Sequence, residues 1–353
     1  MNELKSALAD GPILGEPLVS VSVITYNHGK YIRQCLDGIL MQEVNFPYEI
    51  LIHDDASPDD TTDIIKEYEA KYPTVIKPIY QTVNQYSQGV DVGRFNFDRA
   101  VGKYIAQCEG DDYWTDPKKL QVQVDFLEEH SEYVGTAHSV RVIDETGGTI
   151  KERDIYRRFL KHDFTINDTE QYRLPGQTAS LVYRNLFKGM SQETLIQYQQ
   201  LSYVGDRKLT LLLTLEGPIY CFEDIWSSYR HVLTGYSWSA QNHKNFRYSP
   251  IFKSLVEYEQ FSNKYYHHKL IFGECKASLI TISTLRAILF QNTNYFNDAM
   301  EIYSEISKNP KLFANAVIKS ALHPIHYLEC ISTRVYPLFT TIFNKICFYK
   351  NIH

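Results

Sequence analysis

The chain has 353 residues, 44% hydrophobic and 22% charged, with a net charge of −6, a balance ordinary for a soluble globular protein with one large domain or a domain plus an appendage. Six cysteines, Cys35, Cys108, Cys221, Cys275, Cys330 and Cys347, are scattered without a Cys-x-x-Cys pair, which argues against structural zinc and a disulfide framework and fits a reducing cytoplasm. The charge is uneven: residues 241–353 hold 13 Lys and Arg against 7 Asp and Glu, leaving 23 against 35 for the rest, and so acidic a body argues against nucleic-acid binding.

In chain order, the N-terminal MNELKSALADGPILGEP lacks an apolar core of signal-peptide length. LVSVSVITY, 18–26, is β-branched and alternates like a strand. HGKYIRQCLDGILMQ follows as a helix with Ile32, Leu36, Ile39 and Leu40 on one face; its leading His28 and Lys30 are read as a solvated helix start. YEILIHDD, 48–55, is a second strand ending in carboxylates, and SPDDTTDIIKEYEAKYP a helix with Ser57 as N-cap and Pro58 at the first helical position. VIKPIYQ is a short strand, VGRFNFDRAVG a short helix ending at Gly102, and KYIAQC a fourth strand. A helix runs from Asp116–Pro117 to about His130, and YVGTAHSVRVIDETGGTIKER reads as a hairpin turning at Gly147–Gly148. Residues 151–175 are polar and irregular, an acceptor-side loop. GQTASLVYRN returns as a strand, GDRKLTLLLTLEG as an apolar helix and PIYCFEDIWSSYRH as a last strand, with helical pattern from about residue 245 onward. No run of about 18 apolar residues appears, so no membrane span is expected.

Strands alternating with amphipathic helices predict a parallel α/β sheet with right-handed crossovers, whose ligands bind beyond the carboxyl ends of the strands. Three strand ends carry polar sites: Thr25–Tyr26–Asn27, Asp54–Asp55 and Glu109–Asp112. Carboxylates clustered at a loop repel one another, and a divalent cation is the usual compensation. Oxygen-only ligands favour Mg²⁺ or Mn²⁺ over zinc, and Mg²⁺ held by one or two carboxylates completes its shell with phosphate and water. Gly110 is read as allowing close backbone approach to a ligand. The 27 tyrosines offer flat faces with polar tips, suited to sugar and base contacts.

VSVITYN, ILIHDDASPDDTTDII and EGDDYWTDPKKLQVQVDFL, in that order, closely resemble the N-terminal half of family 2 glycosyltransferases of the GT-A fold, and are most similar to bacterial members that build capsule, exopolysaccharide or O-antigen. The likeness is strong over about 18–130, weaker to about 240 through GQTAS, VGDRKL and YRHVLTGYSWS, and absent from the last hundred residues. It implies a GT-A, mostly parallel sheet flanked by helices in residues 1–240, with an α-helical extension in 241–353. It implies an inverting, metal-dependent transfer of a sugar from a nucleotide-diphosphate donor, a UDP-sugar by the base contacts, to a hydroxyl of a glycan or polyprenyl-diphosphate-linked acceptor.

Residue by residue, Thr25, Tyr26 and Asn27 resemble the base-binding end of the first strand, with Tyr26 stacking on the base. Asp55 resembles the acceptor for the base N3–H, with Asp54 ordering the site. Glu109, Gly110 and Asp111 occupy the family's Asp-x-Asp position. Asp111 is implied to bind Mn²⁺ or Mg²⁺, with Glu109, a departure from the common Asp, near the ribose or metal shell. Asp206 resembles the catalytic base, although Gly205 stands where the family usually has a second acid. His231 is implied in the metal or diphosphate shell, and Asp112, Trp114, Gln177 and Trp238 near donor or acceptor sugar. Two alternatives remain: a nucleotide-sugar-binding scaffold or inactive homologue, and a sugar nucleotidyltransferase, which the single Gly of TYNHGKYIR disfavours. The expected location is cytoplasmic. The basic, aromatic C-terminal tail is read as a packing element, with peripheral contact at the inner face of the membrane or homodimerisation as its other uses.

Overall fold

The alternating apolar run Val19–Thr25 forms β1, a central strand whose residues are buried except for a half-buried Ile24. In the computed structural model, residues 15–150, 162–202, 205–232, 246–290 and 292–308 are described; Trp238 and the basic tail from residue 309 lie outside them. The chain divides into two compact units, residues 1–166, 174–200 and 204–245 against 167–173, 201–203 and 246–353.

In the first unit the chain proceeds through α1 (Ile32–Leu40), β2 (Tyr48–Asp54), α2 (Thr61–Lys71), β3 (Ile76–Tyr80), α3 (Arg94–Phe97), β4 (Tyr104–Glu109), β5 (Tyr113–Trp114), α4 (Lys119–Glu129), β6 (Gly135–Ile143), β7 (Asp163–Phe164), α5 (Ile166–Glu170), β8 (Val182–Arg184), α6 (Gln192–Gln200), α7 (Gly205–Glu216) and β9 (Ile219–Arg230); α5 crosses into the second unit. One nine-stranded sheet runs β3-β2-β1-β4-β8-β6-β9-β5, with β7 on β9. The β3-β2-β1-β4 half is parallel. Beyond it the sheet is mixed: β8 pairs antiparallel with β4 and β6, β6 and β9 are parallel, and β5 and β7 run antiparallel to β9.

Both faces of the parallel half are covered, as such strands require. Ile32, Leu36, Ile39, Ile65, Leu120, Val124 and Leu127 from α1, α2 and α4 pack on Val21, Val23, Ile50 and Ile52. A second cluster joins Leu51 and Ile105 to Leu209 and Leu213 of α7, with Phe97 beside it. Helix α3 has four residues, too few to stand alone. The buried Asn96 pins it, donating to Ser22 Oγ, Val23 O and Leu51 O.

Three local expectations change. Helix α2 begins at Thr61, not at Pro58, because Ser57 is drawn into the strand-end network described below and does not cap it. Helix α3 ends at Phe97, short of Gly102, where a Cβ would stand 2.5 Å from Ser20 N and 2.7 Å from Tyr104 O. The turn at Gly147–Gly148 exists; among the described residues its return leg pairs through the bridge Ile143–Thr149, and β6 finds strand partners in β8 and β9.

The second unit carries α8 (Ser249–Tyr265), α9 (Gly273–Phe290) and α10 (Thr293–Lys308). Asp298 of α10 accepts from the Tyr248 and Ser249 amides at the start of α8, satisfying donors that a helix N-terminus leaves open. Among the described residues no helix is long and apolar enough to cross a membrane.

Candidate active site

Parallel pairing brings three polar strand ends to one edge. Thr25 is registered with Asp54, and Ile24 with Glu109. The loops leaving β1 and β2 are then stitched together. Asn27 N donates to Ser57 Oγ at 2.9 Å, His28 N to Thr61 Oγ1 at 2.9 Å and Gly29 N to Asp59 Oδ2 at 2.8 Å. Asp54, 1% exposed, accepts from Ser57 N and Oγ on one oxygen and from Thr62 Oγ1 on the other. Asn27 and Ala56 take left-handed φ of 59° and 63° to make these bends, which Asn tolerates better than most residues. The acid-rich run DDASPDDTT thus serves the backbone of a neighbouring loop as well as its own helix.

Asp55 is equally committed. Its amide donates to Thr25 O, and its two carboxylate oxygens accept from Gln85 N at 2.7 Å and Tyr86 N at 3.0 Å. Asn84 Nδ2 reaches its carbonyl. The segment after β3 is therefore held over the strand ends, with the Tyr86 side chain exposed. Each Asp55 oxygen keeps a second acceptor site. Tyr26 is half-buried at the mouth of β1.

The turn after β4 brings acids together. One ligand oxygen from each of Glu109, Asp111 and Asp112 lies within 4.8 Å of the others, and no further residue joins this group among the described ones. Gly110 N donates to Ile24 O. A Cβ at Gly110 would meet Thr25 Oγ1 at 2.5 Å and His28 Nδ1 at 2.9 Å, so glycine is required there by packing against β1 rather than by room for a ligand. His28, read from sequence as solvated, points inward: Nδ1 is 3.2 Å from Thr25 Oγ1 and Nε2 3.8 Å from Asp111 Oδ2. Burial, with the Asp111 and Asp206 carboxylates, pushes the Glu109 carboxyl up from 4.5 to about 8. Burial, then Asp111 and Glu109, raises Asp112 well above the carboxylate range.

Asp112 holds the turn in place. Its Oδ1 accepts from Arg230 N at 2.8 Å and its Oδ2 from Gln177 Nε2 at 2.5 Å. The Arg230 side chain, missed by sequence reasoning, gathers the surrounding segments. Its Nε donates to Asp111 O, Nη2 to Gln34 Oε1 and Nη1 to Asp144 O and Glu145 O, and its guanidinium lies 4.5 Å from the Tyr31 ring centroid. Another missed pair is Lys208 and Asp91, bonded at 2.5 Å, with Lys208 only 2% exposed. The one available signal was a lysine interrupting the apolar helix GDRKLTLLLTLEG.

Other sequence assignments move. Trp114 is 1% exposed, with Nε1 donating to Ala179 O and Lys119 Nζ over its ring; it is part of the core. Gln177 is 4% exposed, its amide donating to Asp112 and accepting from Ala179 N, so it positions Asp112. His231 is not in the acidic group. Arg230, the last residue of β9, reaches the acids through its backbone amide and its guanidinium. Asp206 is half-buried in the first turn of α7, close enough to Glu109 to raise its carboxyl.

The mixed sheet with helices on both faces matches the GT-A fold. Residues 1–349 of TarS from S. aureus, solved with UDP-GlcNAc, share it, with a TM-score of 0.52 at 17% identity over 77% of this chain and 73% of that one. The same TarS segment with UDP gives 0.51. Residues 20–188 match the family described as glycosyl transferase family 2. The uncharacterized protein Rv1520 of Mycobacterium tuberculosis is 42% identical over 168 residues, 47% of this chain and 46% of that protein. An uncharacterized glycosyltransferase of Nostoc sp., alr2836, is 36% identical over 170 residues, 47% of this chain and 50% of that one. A putative teichuronic acid biosynthesis glycosyltransferase of Bacillus subtilis, TuaG, is 35% identical over 133 residues, 37% of this chain and 50% of that one. The chain spans about half the length of these curated relatives.

Proposed function

We propose that this protein is an inverting glycosyltransferase that moves a sugar from a UDP-type nucleotide-diphosphate donor to a hydroxyl of a glycan or lipid-linked acceptor in surface-polysaccharide assembly. The observation that carries the reading is the grouping of Glu109, Asp111 and Asp112 beside the ends of β1 and β2. The TarS complexes with UDP and UDP-GlcNAc support a uridine donor for the same fold, and the teichuronic acid relative supports a cell-surface acceptor. We assign residues 1–240 to the transferase domain and residues 241–353 to its helical extension.

The donor set fits a hard divalent cation. Each Asp112 oxygen already accepts one hydrogen bond, from Arg230 N or Gln177 Nε2, so Asp111 and Glu109 are the less committed carboxylates to hold Mn²⁺ or Mg²⁺, the one or two such ligands usual for Mg²⁺ beside phosphate. Bound there, the cation neutralises charge growing on the departing diphosphate. Thr25, Tyr26 and Asn27 receive the base, Tyr26 by stacking, and Asp55 accepts the base N3–H on its remaining acceptor sites while it holds the 84–86 backbone. Asp206 takes the proton of the acceptor hydroxyl as that oxygen attacks the anomeric carbon opposite the leaving diphosphate, and the configuration inverts.

Calorimetric titration of UDP, dTDP, GDP and CDP, with and without Mn²⁺, tests this on wild type, Asp111→Ala and Asp206→Asn. Wild type binds one nucleotide in a Mn²⁺-dependent way, and Asp111→Ala loses that binding. Asp206→Asn keeps it while turnover falls about 10²–10⁴-fold. Absence of nucleotide binding under every condition would overturn the transferase reading in favour of an inactive homologue.

A further inference from the structure

Behind Trp114 lies a buried polar site that the reaction does not use. Helix α4 carries Lys119 and Gln123 one turn apart on the face that meets the sheet. Gln123 Nε2 donates to Thr136 Oγ1 at 3.0 Å and to Ser180 O at 2.9 Å, which sets this face of α4 over Thr136 of β6. His138 is the next β6 residue on the same side. Lys119 Nζ stands 4.0 Å from the Trp114 ring centroid, Trp114 pairs across strands with Ser227, and Ser227 is registered with Val140. The β6–β9 register shifts on both sides of Ser139, and such irregularities re-aim side chains and loosen the ladder. This register puts Lys119, Gln123, His138 and Ser227 on one side of the sheet, between α4, β6 and the β5–β9 pair.

All four residues are at most 2% exposed. Among the described residues, Lys119 Nζ, Gln123 Oε1, His138 Nε2 and Ser227 Oγ have no hydrogen-bond partner, whereas buried polar atoms are nearly always paired, often by ordered water. Their chemistry names the partner. His138 Nδ1 lies 2.9 Å from Ser139 O, so Nδ1 carries the proton and Nε2 accepts. Gln123 Oε1 only accepts, while Lys119 and Ser227 donate. Two donors and two acceptors complement one water molecule. An anion would face the lone pairs of Gln123 and His138, and a cation the Lys119 amine. Burial lowers Lys119 to about 7 and His138 well below the usual histidine range, consistent with a site that holds a neutral guest.

We propose that Lys119 Nζ, Gln123 Oε1, His138 Nε2 and Ser227 Oγ form a buried water site. It backs the chain of contacts from Trp114 through Ala179 and Gln177 to Asp112, and it stands whether or not the transferase reading does. A high-resolution crystal structure of the full chain tests it. The expected result is a solvent peak within about 2.7–3.2 Å of at least three of the four atoms, retained without its Ser227 bond in Ser227→Ala. A site without such a peak, or Lys119 Nζ bonded directly to Gln123 or His138, would overturn the proposal. If Ser227→Ala does not fold, the wild-type map alone decides.

Discussion

Carboxylates crowd two places on one sheet edge, and the fold treats them in opposite ways. In the loop after β2, Asp54, Asp55 and Asp59 are surrounded by donors, and both oxygens of each accept hydrogen bonds from amides or hydroxyls. In the turn after β4, Glu109 and Asp111 face each other and Asp112, and burial leaves the Glu109 and Asp112 carboxyls raised. The first arrangement uses negative charge as a hydrogen-bond acceptor to build loops. The second concentrates charge that a cation would relieve. Composition alone would not separate them, because acidic runs lie at both strand ends.

The largest effect expected from breaking this contrast is on the satisfied side. Asp54→Ala strands the Ser57 and Thr62 donors at a position 1% exposed. It is expected to cost about 3 kcal/mol in urea unfolding. A loss below about 1 kcal/mol would show that the β2 loop is organised by something else. Next comes the clamp between the acidic turn and its neighbours. Arg230→Lys keeps the charge but cannot reproduce the guanidinium fork to Asp111, Gln34, Asp144 and Glu145. Mn²⁺ affinity read by electron paramagnetic resonance is expected to fall about 10–100-fold. Unchanged affinity would mean that the turn keeps its shape without the clamp.

The smallest effect is a pH dependence. Glu109 is raised from 4.5 to about 8, so between those values the folded protein binds more protons than the unfolded one, and this group's contribution to stability falls as pH rises through that window. Glu109→Gln removes the effect. In chelator, the melting temperature of the variant relative to wild type is expected to climb between pH 5 and 8, on the order of 3 °C. A difference that is flat with pH would place the Glu109 proton elsewhere.

Much of the fold was legible because β1, β2, β4 and α1 write their burial into local periodicity: Ile32, Leu36, Ile39 and Leu40 are all buried, as their helical spacing required. The acids at strand ends were legible for a related reason, since charge at the end of a buried strand is conspicuous in one dimension. Ser57 was misjudged because a cap and a cross-loop acceptor look alike in sequence. The burial of Trp114 and Gln177 was not legible because an aromatic or amide beside a site motif carries no mark of the direction it faces. His28 was passed over because its neighbours Thr25 and Asp111 meet it only when β1 and β4 lie side by side.

By itself the sequence determined the alternation of strands and helices and the three polar strand ends, since periodicity and charge act over neighbouring residues. Tertiary structure alone decided which carboxylates are spent on donors and which face one another. It also brought Arg230 to Asp111 from 119 residues away and buried Trp114 beneath Lys119. Hydrogen bonding and desolvation depend on which distant groups share a volume, and only the folded chain specifies that.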